Sequence, residues 1–326
     1  MTGTGTGGGE LDELAAAVQA ALARREPPWF DPEAGETVLL PEAAGRGYWV
    51  GAPSIVNDGD GGRVLLSYRR RRPRDGSPDE RGHTAAIAES TDGGRSFTDI
   101  WSLTKQEVGT SSLERFCLRA GDREWLLYTS WEDPPSSGRW RIDVLRAATP
   151  EQLSLSSAVP VLLPGDVGVD AVKDPYVVRY QGEAFMYVST FLTPHGPAPT
   201  SLATSPDGVH FSWQGQVLGV GRQWDAYQAR LSSLVAVEGG FLAYYDGAAT
   251  PADDTEEHCG LAVSSDLRAW RPVTTDGPAL VSPYATGSLR YVEAVSIGGS
   301  PFVYYEYTRP DGSHELRRNA FGSVAG

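Results

Sequence analysis

The stretch "IAESTDGGRSF", Ile87 to Phe97, decides the fold. It opens on small and apolar residues, as a strand does. Ser90, Asp92, Gly93 and Gly94 then follow in order, just before the aromatic Phe97. Ser and Asp side chains bond nearby backbone amides, and Gly adopts positive φ without steric cost. The segment therefore reads as a strand, a tight turn and the start of the next strand. The pattern returns as "LATSPDGVHF" from Leu202 and "LAVSSDLRAW" from Leu261, with a degenerate copy, "RAATPEQL", from Arg146. The Ser or Thr of each copy stands at 90, 149, 205 and 264, giving spacings of 59, 56 and 59 residues. Near-constant spacing of this order marks a repeat architecture.

A second repeat runs in phase. Strand-like segments open each unit: "GAPSIV" (51–56), "SLERFCL" (112–118), "KDPYVVRY" (173–180), "QARLSSLV" (228–235) and "SLRYVEAV" (288–295). A second β-rich run follows each one: "RVLLSYR", "EWLLYTSW", "AFMYVSTF", "GFLAYYDG" and "PFVYYEY". Five units of this kind predict an all-β, five-bladed β-propeller with four-stranded blades. The fifth unit runs out soon after its third strand, "HELRRNAF", whereas "ETVLL" (36–40) precedes the first unit and has no blade of its own. Residues 36–41 are therefore expected to close the last blade. Residues 1–9 are expected to be a flexible arm, 10–26 a short helix stopped by Pro27 and Pro28, and 36–326 the propeller.

Composition narrows the function. The chain has 326 residues, 40% of them hydrophobic, and a formal net charge of −14. That charge argues against a phosphate-backbone binder, so no nucleic acid is expected as a partner. No apolar run is long enough to span a membrane. The N-terminus lacks the basic and then apolar regions of a signal peptide, so a cytoplasmic location is expected. Cys117 and Cys259 read as buried thiols rather than a disulfide framework. No zinc spacing, nucleotide-binding glycine loop or nucleophile elbow is present. The acids would permit an axial cation, but no motif calls for a metal or cofactor. The sequence leaves the oligomeric state open.

Inner strands line a propeller's central channel, and they carry Ala52, Glu114, Asp174, Arg230 and Arg290 at comparable positions, with Glu293 further along. Acids and arginines converging on one axis should perturb one another's pKa values, as active sites require. Asp174 precedes Pro175, which favours extended geometry at the Asp. The second-strand ends add Trp131 beside Glu132, Tyr245 beside Asp246, and Tyr305 beside Glu306. Aromatics beside carboxylates suit sugars. The run "YRRRRPR", Tyr68 to Arg74, should alternate faces, half in solvent and half forming a local anion site that includes Arg69.

These residues resemble the five-bladed propeller glycoside hydrolases and phosphorylases: the family 43 arabinanase and xylosidase group, the family 32 invertase group and the family 130 mannoside phosphorylases. The resemblance spans most of residues 47–322. It rests on "GGRVLLSYR" with "IAESTDGGRSF", on "KDPYVVRYQGEAFMYVSTF" with "LATSPDGVHF", and on "GGFLAYYDGAA". The Ser-x-Asp turns also resemble the Asp-boxes of sialidases. The resemblance implies that Asp174 sits in the active site. It also implies a carboxylate on the first inner strand, where this chain has Ala52. Hydrolysis needs two carboxyl groups flanking the scissile bond. Glu114 or Glu293 would have to supply the second, or phosphate would replace activated water, held by Lys173, Arg230, Arg290 and Arg69.

The expected function is cleavage of a glycosidic bond in a small glycoside or glycosylated metabolite. Asp174, Glu114 and Glu293 are the candidate catalytic residues. Arg230, Arg290, Lys173, Arg69, Trp131, Tyr245, Asp246 and Glu306 are the candidate substrate-binding residues. The alternatives are a funnel reused for non-glycosidic chemistry on a small molecule, and a non-catalytic sugar-binding module. A pair of carboxyl groups across an open pocket would favour the hydrolase. A lone Asp174 among arginines would favour phosphorolysis or other chemistry.

Overall fold

The computed structural model describes residues 7–58, 62–74 and 80–321. It is a five-bladed β-propeller with a short helix, α1 (Gly7–Ala23), packed against it. The helix begins earlier than the expected residue 10. It ends before the prolines, close to where Arg25 takes φ +56°. Among the described residues no helix is long and apolar enough to cross a membrane.

Strand β1 (Glu36–Leu39) precedes the first blade. Blade one holds β2 (Trp49–Asn57), β3 (Val64–Arg71), β4 (Thr84–Ser90) and β5 (Thr98–Thr104). Blade two holds β6 (Cys117–Ala120), β7 (Trp125–Glu132), β8 (Trp140–Ala147) and β9 (Val159–Leu162). Blade three holds β10 (Ala171–Tyr180), β11 (Glu183–Phe191), β12 (Thr200–Ser205) and β13 (Ser212–Leu218). Blade four holds β14 (Gln228–Val237), β15 (Gly240–Ala248), β16 (His258–Ser264) and the two-residue β17 (Arg271–Pro272). Blade five holds β18 (Leu289–Ile297), β19 (Ser300–Thr308) and β20 (His314–Ala320), and β1 lies antiparallel to β20 as its outer strand, with Glu36 opposite Arg318. One parallel bridge, Trp49 to His314, joins blades one and five.

The Ser-x-Asp turns hold blades to one another. In blade three, Ser205 Oγ accepts from the Gly208 amide at 2.9 Å and donates to Asp207 at 2.8 Å. Asp207 in turn accepts from the amides of Val209 and His210. The turns at Ser90 and Ser264 repeat these bonds. A tyrosine on the second strand of the preceding blade then donates its hydroxyl to a turn carbonyl. Tyr304 bonds Gly94, Tyr128 bonds Gly208, and Tyr187 bonds Leu267, at 2.8, 2.8 and 2.7 Å. The aromatic that ends each motif packs on the same tyrosine: Phe97 on Tyr304, Phe211 on Tyr128, Trp270 on Tyr187. The degenerate turn of blade two follows blade one, where Ser67 replaces the tyrosine in register. The corresponding Tyr244 of blade four bonds Pro28 O, in the segment between α1 and β1.

Every inner strand carries one extra residue. In blade one, Gly51 faces Arg69 and Ser54 faces Ser67, three steps against two. The same three-to-two count holds from Lys173 to Tyr176 and from Arg290 to Glu293. Blade four has two steps against one, from Leu231 to Ser233. Blade two has four against three, between the Leu113 bridge and Cys117. Such bulges re-aim side chains. At three of them the residue is left-handed: Ala52 at φ +51°, Asp174 at +57° and Tyr291 at +52°. Pro175 therefore does not hold Asp174 extended, because the bulge overrides the preference of a residue before proline.

If the tyrosines latch the blades, Tyr187→Phe should lower the unfolding free energy by about 1 kcal/mol, and Tyr187→Ala by about 3–5 kcal/mol. Urea unfolding measures both. Wild-type stability in both variants would contradict the latch.

Candidate active site

Buried side chains fill the channel at mid-depth, and one of them reaches every other blade. Arg115, fully buried, sits on the linker leading into β6. Its guanidinium donates to Pro53 O of blade one at 3.0 Å, to Ser232 O of blade four at 2.8 Å and to Glu293 of blade five at 2.6 Å. Its backbone amide donates to Asp174 of blade three at 3.1 Å. One arginine of blade two thus touches all the other blades.

Above this plug lies a ladder of guanidinium and carboxylate groups. Arg230 donates to Asp174 at 3.0 Å and, through two nitrogens, to Asp246 at 3.0 and 3.1 Å, and it lies 3.1 Å from Glu257. Glu257 also takes Arg290 at 2.5 Å, and Arg290 grips Glu306 through two nitrogens at 2.6 and 2.8 Å. Glu306 accepts from the Ala52 amide at 3.2 Å and pairs with His314 at 2.8 Å. Gly51 is required beside it, because a Cβ there would run into the Glu306 side chain. Tyr291 forms a ring face for Arg230 at 3.9 Å.

A pocket of about 300 Å³ opens above the ladder. Among the described residues it is lined by seven cationic residues, Arg69, Arg71, Arg74, Arg81, Lys173, Arg230 and Arg290, and four carboxylates, Glu114, Asp170, Asp254 and Glu257. Trp140, Phe191 and Tyr227 form one wall and cluster together with little exposure. Glu114 is buried, contacts Arg69 and receives a bond from Ser112 Oγ at 3.3 Å.

Of the residues picked from sequence, the structure brings Glu114, Arg69, Lys173, Arg230 and Arg290 together in this pocket. The bulges move the layer by one residue: Glu114, Lys173, Arg230 and Arg290 share a level with Gly51, whereas Asp174 aligns with Ala52, Arg115 and Tyr291. Asp174 is fully buried beneath the pocket and does not line it. Glu293 lies beyond the plug, against Arg115 and Arg119, and faces a separate cavity at the opposite mouth. Asp246 and Glu306 serve as buried partners of Arg230 and Arg290. Trp131 packs on Phe116, and Tyr245 stacks on Trp224 and donates to Asp225, so both are core residues. The alternation of "YRRRRPR" is visible: Arg69 and Arg71 face the pocket, while Arg72 meets Glu42 and Glu80 outside. Sequence reasoning missed Arg115, Glu257, Trp140, Phe191 and Tyr227.

Burial raises the Asp174 pKa, but Arg230, Lys173 and Arg69 outweigh it, and the group is held below the usual carboxylate range. Glu257 and Glu306 are likewise lowered despite burial, by Arg230 and Arg290 and by Arg290 and His314 respectively. These three are fixed anions rather than proton donors. Asp246 behaves oppositely: burial, aided by Glu257, pushes it up to about 6 against the pull of Arg230. Among the described residues no group of three or more His, Cys, Asp or Glu is arranged to hold a metal ion.

No protein-family model matches the sequence, and no curated protein matches it. Solved structures do. A thermostable family-43 glycoside hydrolase aligns with a TM-score of 0.64 at 13% identity, over 87% of this chain and 91% of its own. An α-L-arabinofuranosidase from Lactobacillus brevis gives 0.63 at 13%, over 88% and 94%. A β-1,2-mannobiose phosphorylase from Listeria innocua, in complex with β-1,2-mannobiose, gives 0.58 at 17%, over 91% and 94%. At these identities the likeness establishes the shared propeller fold.

The pKa directions set an acid limit on stability. Asp174, Glu257 and Glu306 bind protons less readily in the folded chain than in the unfolded one. Their stabilisation is present above the ordinary carboxylate range and is lost as pH falls through and below it. Asp246 contributes with the opposite sign between its ordinary value of 3.8 and about 6. With three groups against one, the urea midpoint should fall between about pH 5 and pH 3.5 at constant ionic strength. A flat or rising midpoint on acidification would contradict the ion ladder.

Proposed function

We propose that the chain is a carbohydrate-active enzyme that cleaves a glycosidic bond in a small glycoside held in the upper pocket. The observation that carries this reading is the pairing of a buried carboxylate, Glu114, with an aromatic wall of Trp140, Phe191 and Tyr227 in one cavity. Aromatic faces accept the C–H faces of sugars, while the cationic side offers many hydrogen-bond donors to hydroxyl groups. A volume of about 300 Å³ meets the lower end of the range for small-molecule sites, about 300–1,000 Å³. The fold shared with glycoside hydrolases and phosphorylases supports the reading by analogy.

In the proposed reaction the bond from the anomeric carbon to the leaving oxygen breaks. A bond to the oxygen of water or of phosphate forms, and one proton passes from the nucleophile to the leaving oxygen. Glu114 is the pocket group that takes and returns this proton. Asp174 is a positioning residue, which fixes Arg230 from below. Arg230, Arg290 and Lys173 bind substrate or the incoming phosphate. Two free, buried cysteines fit a reducing compartment, and we place the reaction in the cytoplasm.

A panel of nitrophenyl pyranosides and furanosides, with and without phosphate, tests this. Wild-type turnover is expected on at least one member, with Glu114→Gln reducing kcat by about 10²–10⁴-fold. Dependence on phosphate separates phosphorolysis from hydrolysis. A folded Glu114→Gln variant with wild-type turnover, or no turnover across the panel, would contradict the proposal.

A further inference from the structure

Arg71 stands apart from the other pocket arginines. It is only 8% exposed, lines the pocket, and among the described residues has no hydrogen-bond or ion-pair partner for its guanidinium. What holds it is a ring: it lies 4.4 Å over Trp49, which stacks on His314 on its other contact at 4.5 Å. Arg69 has Glu114, and Arg230 and Arg290 have their carboxylates. A second pocket cation, Lys173, has no ion-pair partner among the described residues, its ammonium resting 5.2 Å from the Phe191 ring. A buried cation is ordinarily matched by an anion. From inside the protein Arg71 instead meets the repulsion of Arg69, Arg290 and Arg74, which, after burial, lowers its pKa to about 9.

The position of Arg71 sets where an anion bound to it would lie. Arg71 follows Arg69 by two residues on β3 and faces the same side, so it lies about 6–7 Å further along the strand. Arg69 is the residue on Glu114, the proposed proton carrier. An oxyanion at Arg71 is therefore displaced by about one sugar ring from the reacting bond. Such an anion would be a substituent of the substrate rather than the attacking nucleophile.

We propose that Arg71, seconded by Lys173, is an oxyanion subsite, and that the substrate is an anionic glycoside bearing a carboxylate, phosphate or sulfate. Arg is suited to this, since its planar fork bonds such groups through two parallel N–H donors. The inference deepens the glycoside reading and rests on that pocket being the substrate site.

Calorimetric titration at constant ionic strength tests it without requiring turnover. The probes are methyl uronides of the gluco, galacto and manno series, the matching neutral methyl glycosides, glucose 6-phosphate and inorganic phosphate. At least one anionic sugar should bind tenfold or more tightly than its neutral counterpart. Arg71→Met should remove that preference, and Lys173→Met, at a half-buried position, should reduce it. Arg70→Met, which deletes the same charge from the opposite face of β3, should leave it unchanged. The proposal is overturned if neutral and anionic sugars bind alike, if Arg71→Met keeps the preference, if no anionic sugar binds, or if inorganic phosphate is the sole anion bound. Turnover of neutral glycosides without anion preference would overturn the subsite and leave the glycosidase reading standing. Anion binding without turnover on any glycoside would do the reverse.

Discussion

A single guanidinium sits where five blades meet. Arg115 gives hydrogen bonds to blades one, four and five through its side chain, and to blade three through its backbone amide. A propeller leaves a hole at its axis, and small backbone shifts in any blade would change that hole. Arginine suits the place because its fork reaches several acceptors at once and stays charged. The inner-strand bulges are the counterpart of the plug. They turn Pro53 O, Asp174 and Glu293 toward the axis, and three of them do so with a residue in the left-handed region.

Closing the axis divides the channel into two chambers. The lower one holds Glu293 and Arg119 in a satisfied ion pair. The upper one is rich in cations although the whole chain carries −14. That contrast comes from where the acids are spent. Asp174, Asp246 and Glu306 lie beneath the floor as anchors for Arg230 and Arg290, leaving the cavity above with an excess of positive groups among the described residues. Buried ion pairs contribute little net stability compared with apolar packing, but removing one partner is costly. The ladder is therefore best understood as a device for geometry, holding two guanidinium groups at fixed height under a ligand.

The blade count was legible because turn chemistry is local. Ser and Asp at fixed offsets declare a hairpin wherever they occur, their spacing gives the period, and the five inner-strand segments in phase with it count the units. The inward face of Arg69 and Arg71 was legible too, since a strand alternates with period two. The layer of the inner strands was not. A one-residue bulge leaves no mark in composition, yet it moves Asp174 out of the pocket and leaves its neighbour Lys173 at the level of Glu114. Trp131 and Tyr245 sit beside carboxylates in the sequence, but inter-blade packing claims their rings, and the pocket takes its aromatics from strand ends at Trp140 and Phe191 and from the loop before β14 at Tyr227. Glu257 had one signal, the pair "EE" at 256–257 just ahead of a strand start, where a third strand meets the mouth. Arg115 had a weaker one, a second charged residue beside Glu114 in "SLERF".

The most direct measurement is the unfolding free energy of Arg115→Met, which keeps much of the side-chain volume and removes the charge and the three side-chain bonds to other blades. If Arg115 ties the ring, urea unfolding should show a loss of about 3–5 kcal/mol. The loss should appear as one cooperative transition displaced to lower urea. A variant within about 0.5 kcal/mol of the wild type, the range of an ordinary surface substitution, would show that the blades close without their axial arginine.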